Sequence, residues 1–198
     1  MKTRIAVFVS GGGTNLQALI DAAARGELPS GELALVLSSS EKAYALERAA
    51  KAGIPTAVVR SREENHEQKI LDTLEAYSID MIVLAGYMSI LSADFTARFP
   101  NRILNVHPSL IPSFCGKGYY GLRVHEEALK RGVKVTGATV HFVNEIPDGG
   151  EILLQKAVQV LPGDTPETLQ RRVMEQAEWN LLPQATEAVA HRILEERK

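Results

Sequence analysis

The stretch Ile5-Ala6-Val7-Phe8-Val9-Ser10-Gly11-Gly12-Gly13-Thr14-Asn15-Leu16 decides the fold class of this chain. Five apolar residues in a row, with no polar alternation, suit a strand covered on both faces. Three glycines interrupt the run, and Leu16, Leu19, Ile20 and Ala23 then recur at helical spacing. A buried strand that passes through glycines directly into a helix is the first unit of an open parallel sheet. Glycine also lets backbone N–H groups approach an anion, and the helix start adds unpaired donors and partial positive charge. The spacing matches neither common nucleotide motif: Leu16 stands where the dinucleotide fingerprint has glycine, and no Lys-Ser/Thr pair follows. The same turn also serves a strand-to-helix connection with no ligand, so the loop alone leaves a phosphate site open.

Outward from this unit the pattern repeats. Leu33–Leu37 and Met81–Ala85 are further short apolar runs. Helical patterns lie between them, at Tyr44, Leu46, Ala49 and Ala50 and again over Glu67–Tyr77. Strand, helix, strand, helix implies right-handed crossovers and parallel pairing. After another strand, Arg102–His107, a loop rich in Pro, Gly, Ser and Tyr runs from Pro108 to Gly121. A helix around Val124–Lys130 leads to two strand-like runs, Thr136–Val143 and Ile152–Val160, joined by a turn at Pro147-Asp148-Gly149-Gly150. Thr165-Pro166-Glu167 then announces a long C-terminal helix, with Thr as cap and Pro in the first turn. The expectation is one α/β domain over residues 1–198: a mostly parallel twisted sheet with helices on both faces, Rossmann-like, ending in a long helix.

Composition narrows the partners. The 198 residues are 45% hydrophobic and 23% charged, with net charge -2, so no basic excess favours a nucleic acid. The first apolar run is too short for a signal peptide core or a bilayer span. One cysteine, Cys115, leaves no internal disulfide. A cytoplasmic protein without membrane or nucleic-acid partners is expected.

The second informative stretch is Asn105-Val106-His107-Pro108-Ser109-Leu110, at the C-terminal end of a strand, where ligands collect in open α/β sheets. Residues two apart in a strand face the same side, so Asn105 and His107 point together into the crevice. An amide that donates to a developing oxyanion and an imidazole that moves a proton are what acyl transfer needs. Asp148 is a partner for the imidazole, because a nearby carboxylate favours its charged form. Spacing alone does not prove that pairing, and a lone histidine beside a proline is more often structural. His107, His125, His141 and Cys115 match no metal-ligand spacing, so no metal is expected. His141, flanked by apolar residues, reads as a strand residue bonded near the site.

These stretches together resemble the phosphoribosylglycinamide formyltransferases, a branch of the folate-dependent formyltransferases, over almost the whole chain. The likeness runs through Val9-Ser10-Gly11-Gly12-Gly13-Thr14-Asn15-Leu16-Gln17, Val83-Leu84-Ala85-Gly86-Tyr87-Met88 and Asn105-Val106-His107-Pro108-Ser109-Leu110-Ile111-Pro112. It continues in Gly137-Ala138-Thr139-Val140-His141-Phe142-Val143 and Asp148-Gly149-Gly150. The resemblance implies transfer of a formyl group from 10-formyltetrahydrofolate, as co-substrate, to the amine of phosphoribosyl-glycinamide in purine synthesis. It implies Asn105, His107 and Asp148 as the catalytic trio and Gly12, Gly13, Thr14 and Asn15 as the substrate-phosphate site. Arg62, Met88, Ser89, Ile90, Leu91, Asn105 and Asn144 would bind the folate, and Glu178 the substrate amine.

Three departures from the family pattern stand out. Ser89 replaces a common Arg, Cys115 replaces a common Pro, and the match at Glu178-Trp179 takes a one-residue insertion with Trp for a common His. Methionyl-tRNA formyltransferases and formyltetrahydrofolate hydrolases carry an additional domain that 198 residues are not expected to hold. A non-catalytic phosphosugar-binding module would explain the glycine loop but leave the trio without a role. A monomer or homodimer is expected.

Overall fold

The structure, a computed structural model, describes residues 1–198. Seven strands form one sheet in the order β3-β2-β1-β4-β5-β6-β7. They are β1 (Thr3–Val9), β2 (Gly31–Ser38), β3 (Thr56–Val58), β4 (Met81–Leu84), β5 (Ile103–His107), β6 (Val135–Phe142) and β7 (Ile152–Gln159). The first five run parallel, while β6 pairs antiparallel with both β5 and β7. The helices are α1 (Thr14–Ala24), α2 (Ala45–Lys51), α3 (His66–Ala76), α4 (Ala93–Ala97), α5 (Leu122–Arg131), α6 (Pro166–Val173) and α7 (Trp179–Glu195). No helix is long and apolar enough to cross a membrane.

The unbroken apolar runs reflect two covered faces. Ile5, Val7 and Val9 point into the larger core with α1 and α7, while Ala6 and Phe8 point into a smaller core with α3 and α4. Met81 and Val83 divide from Ile82 and Leu84 in the same way. Strand period two therefore sends alternate residues to different apolar layers.

The C-terminal helix starts as its sequence suggests. The Thr165 hydroxyl accepts from the Thr168 N–H at 3.3 Å, the Thr168 hydroxyl accepts from the Thr165 N–H at 2.9 Å, and Pro166 opens the first turn. It is not one uninterrupted α-helix, however. A π turn at Met174–Glu178 separates α6 from α7.

Two elements escape the periodicity. Strand β3 has only 3 residues and α4 only 5, each shorter than the window over which a hydrophobic period is legible. The face of α2 also differs from the pattern: Ala45 and Ala49 are buried, while Tyr44 lies outside with Arg48 over its ring.

Strand order reverses between β1 and β4, and the crevice of an open α/β sheet lies at such a point, beyond the carboxyl ends. Phe8 anchors that point. It is fully buried and meets the Tyr87 ring edge-on at 5.2 Å. Phe8→Ala is expected to lower unfolding free energy by about 3–5 kcal/mol. Urea titration checks this, and a loss below about 1 kcal/mol would mean that the small core closes around the gap.

Candidate active site

The crevice contains a cavity of about 730 Å³ at the carboxyl ends of β1, β4 and β5. That is large enough for small organic substrates. Gly11, Gly12, Gly13, Thr14 and Asn15 form one wall; Asn105, His107 and Asp148 meet at another; Met88, Ser89 and Ile90 border a third. Arg62, Leu91 and Asn144 do not line it. Leu91 is buried in the small core, Asn144 accepts from the Ile146 N–H at 3.0 Å, and Arg62 stands in a neighbouring cleft.

The glycine wall is shaped by close packing. Gly13 has φ +73°, and a Cβ there would come within 2.6 Å of Ala45 Cβ. A side chain is excluded on both counts. Helix α1 then begins with no side-chain cap, so its first N–H groups stay available to an anion. Arg48 braces the loop, donating from Nε to the Gly12 carbonyl at 2.8 Å and from Nη1 to Gln17 Oε1 at 2.9 Å. No sequence signal marked Arg48, because the contact joins elements 36 residues apart.

Asn105 and His107 occupy alternate positions of β5 and both reach the cavity. Asp148 arrives from the β6–β7 turn. It takes φ +56°, which Asp tolerates better than most residues. Gly150 lets the turn lie against the end of β6, where a Cβ would fall 1.8 Å from the Phe142 carbonyl oxygen.

Asp148 Oδ2 lies 3.5 Å from His107 Nδ1 and accepts from the Gly116 N–H at 2.8 Å. Its Oδ1 lies 3.5 Å from His141 Nε2 and accepts from Asn105 Nδ2 at 3.5 Å. Burial pushes the Asp148 carboxyl up, but the His141 hydrogen bond, the His107 charge and the Gly116 N–H outweigh it and hold it below its ordinary value. The carboxyl therefore stays ionised near neutrality.

His107 faces acceptors on both sides, because its Nε2 lies 2.8 Å from the Phe114 carbonyl oxygen. His141 is as buried as His107 and pairs in register with Asn105 across the antiparallel ladder. Its Nε2 is 3.2 Å from Asn105 Nδ2, and its Nδ1 is 2.8 Å from the Phe142 carbonyl oxygen. His125 also lines the cavity, fully buried, with neither ring nitrogen bonded. Burial, aided by the His107 charge, pushes it down to about 4, so it remains neutral near pH 7.

Glu178 reaches the cavity from the π turn. One inserted residue in a straight α-helix would rotate the flanking faces by about 100° relative to each other; a π turn absorbs the insertion locally. Glu178 and the buried residues of α7 thereby both face inward. Glu178 Oε2 accepts from Asn15 Nδ2 at 2.8 Å, while its Oε1 has no partner. Burial raises the carboxyl to about 7 against the Asn15 hydrogen bond.

Residues 3–186 match the formyl transferase family. The chain is 45% identical over 184 residues to the phosphoribosylglycinamide formyltransferase of Haemophilus influenzae, covering 91% of this chain and 84% of that protein. It is 39% identical over 178 residues to the chloroplastic phosphoribosylglycinamide formyltransferase of Arabidopsis thaliana, covering 87% of this chain and 61% of the relative's length. It is similar in structure to glycinamide ribonucleotide transformylase 1 of Symbiobacterium toebii. That match has a TM-score of 0.88 and 42% identity, and covers 96% of this chain and 89% of the other.

The Glu178 carboxyl has a pH signature. Folded, it holds its proton to about pH 7; unfolded, it releases it near 4.5. The stability from that preference is complete below pH 4.5 and is lost as pH rises through 7. Glu178→Gln should therefore gain on the wild type between about pH 5 and 8, by at most about 3 kcal/mol in urea unfolding. A difference that stays constant with pH would contradict the buried, protonated carboxyl.

Proposed function

The chain belongs to the formyl transferase family, and we propose that it moves a formyl group from 10-formyltetrahydrofolate to the amine of phosphoribosyl-glycinamide, without an acyl-enzyme. The observation that carries this reading is the meeting of Asn105, His107 and Asp148 in one cavity with the glycine loop and Glu178.

Each wall suits one part of the reactants. The uncapped start of α1 and its glycines favour a phosphate. The unpartnered Glu178 Oε1 offers an acceptor to the substrate amine, which must be neutral to attack. Met88 and Ile90, 56% and 71% exposed, give the opposite rim apolar surface for the flat ring system of a folate.

In the proposed reaction the amine attacks the formyl carbon and a tetrahedral oxyanion forms. Asn105, whose side chain lines the cavity, stabilises it by donating an amide N–H. His107 exchanges its Phe114 contact for the substrate and passes its Nε2 proton to the departing folate nitrogen. The attacking nitrogen gives up a proton in turn, so the imidazole is restored. Asp148, ionised, keeps the ring oriented and balances its charge. No step calls on a metal.

The assay that tests this reading compares turnover of both substrates by wild type and His107→Ala. Positioned acid–base catalysis is worth about 10²–10⁴-fold, so kcat should fall by that factor. The KM for phosphoribosyl-glycinamide should change by no more than about threefold, because the phosphate wall is untouched. A variant retaining more than about one tenth of the wild-type kcat would remove His107 from the chemistry.

A further inference from the structure

The carbonyls of the glycine loop are held from one side, by α2. The Ala45 N–H donates to the Gly11 carbonyl at 3.1 Å, and Arg48 Nε donates to the Gly12 carbonyl at 2.8 Å. In a trans peptide the carbonyl and the N–H point in opposite directions. The Gly12 and Gly13 N–H groups belong to these same peptides and are therefore turned away from α2. Neither donates to another group of the protein. Helix α2 thus sets the direction of free donors in a wall that lines the cavity.

Arg48 is itself firmly placed. Besides the Gly12 carbonyl it holds Gln17 Oε1 through Nη1 at 2.9 Å, and its guanidinium lies over the Tyr44 ring, 5.0 Å from the centroid. Gln17 is fixed in turn, donating from Nε2 to Asp21 Oδ1 at 2.8 Å. A carbonyl, an amide oxygen and an aromatic face are its partners, so no carboxylate in contact cancels its charge. On the cavity wall the only lysine or arginine is Lys117, which comes from the loop before α5 and not from the glycine wall. A cation on the carbonyl oxygen polarises the whole peptide and makes its N–H a stronger donor. Arg48 thereby brings positive charge to the Gly13 N–H from behind the loop, where it lines an outer groove beside Thr14 and leaves the cavity free.

We propose that Arg48 is a positioning residue for the substrate phosphate, fixing and strengthening the Gly13 N–H as a phosphate donor through the Gly12 carbonyl. The proposal rests on the phosphate wall of the reading given above and names the side chain that tunes it. Arg48 does not line the cavity, so its loss weakens the hold on phosphate and leaves the chemistry at Asn105 and His107 intact. Lysine is an incomplete substitute, because it keeps the charge but lacks the planar fork that spans Gly12 and Gln17 together.

Binding of inorganic phosphate, followed by phosphorus NMR, tests this without turnover. Arg48→Met, which keeps the stem beside Tyr44, should bind phosphate about tenfold more weakly than wild type, and Arg48→Lys should fall between the two. Tetrahydrofolate binding should stay within about twofold of wild type in both variants, and a thermal melt confirms that they are folded. In turnover the KM for phosphoribosyl-glycinamide should rise by about the same tenfold in Arg48→Met, with kcat unchanged. A brace of the site as a whole would instead lower kcat or folate binding together with phosphate binding, and that result would overturn the proposal. So would phosphate binding by Arg48→Met equal to that of wild type. Should Arg48→Met fail to fold, Arg48→Lys decides alone, and wild-type phosphate binding and KM in that variant would overturn the proposal. Failure of the wild type itself to bind phosphate would overturn the phosphate reading and this one with it.

Discussion

Strands β1 and β4 lie side by side and parallel, yet the chain leaves them in opposite directions. After β1 it crosses by α1, which packs in the larger core, towards β2; after β4 it crosses by α4, which packs in the smaller core, towards β5. That divergence leaves a gap above the two carboxyl ends that no crossover covers. The walls of the candidate site are arranged around it. The glycine loop is the exit from β1, the Met88–Ile90 segment follows β4, and Asn105 and His107 end β5. The buried Phe8–Tyr87 contact holds these exits in place from below.

Into that gap the fold brings an unusual density of buried polar groups. Asp148 joins two histidines, an asparagine and a backbone N–H, so its negative charge is supported from four directions. Such a network is stable only when its members are satisfied, and removing one leaves the others exposed to an apolar surrounding. Glu178 and His125 stand apart from it, each with an unbonded polar atom and each driven towards its neutral form by burial. Keeping unfilled donors and acceptors inside a folded protein costs stability, which is the expected state of a site built to be completed by a ligand.

Much of this was legible in the sequence because the decisive signals are local. Uninterrupted apolar runs mark strands covered twice, and glycine between strand and helix marks the first crossover. The alternation of Asn105 and His107 needs only the strand period. Asp148 was legible as a turn residue among glycines, and Gly150 serves the close approach that this implied. What sequence left out is tertiary. His141 read as a strand residue bonded near the site, but its partners follow from the antiparallel register that sets it opposite Asn105, and that register is not written in either strand alone. Arg48 and His125 reach the site from helices with no motif of their own. The one-residue insertion near Glu178 read as an irregularity in the match; in the structure it coincides with the π turn that points the carboxyl inward. Strand β3 and helix α4 were too short to show a period.

If this site passes a formyl group directly from folate to amine, consumption of one substrate depends on the other. Purified protein is incubated with 10-formyltetrahydrofolate, with and without phosphoribosyl-glycinamide, and loss of the formyl-folate is followed by absorbance. Direct transfer predicts loss only when the amine substrate is present, in equal amounts with formylated glycinamide. Loss of the formyl-folate at the same rate without the amine would contradict it, as hydrolysis by water in place of transfer.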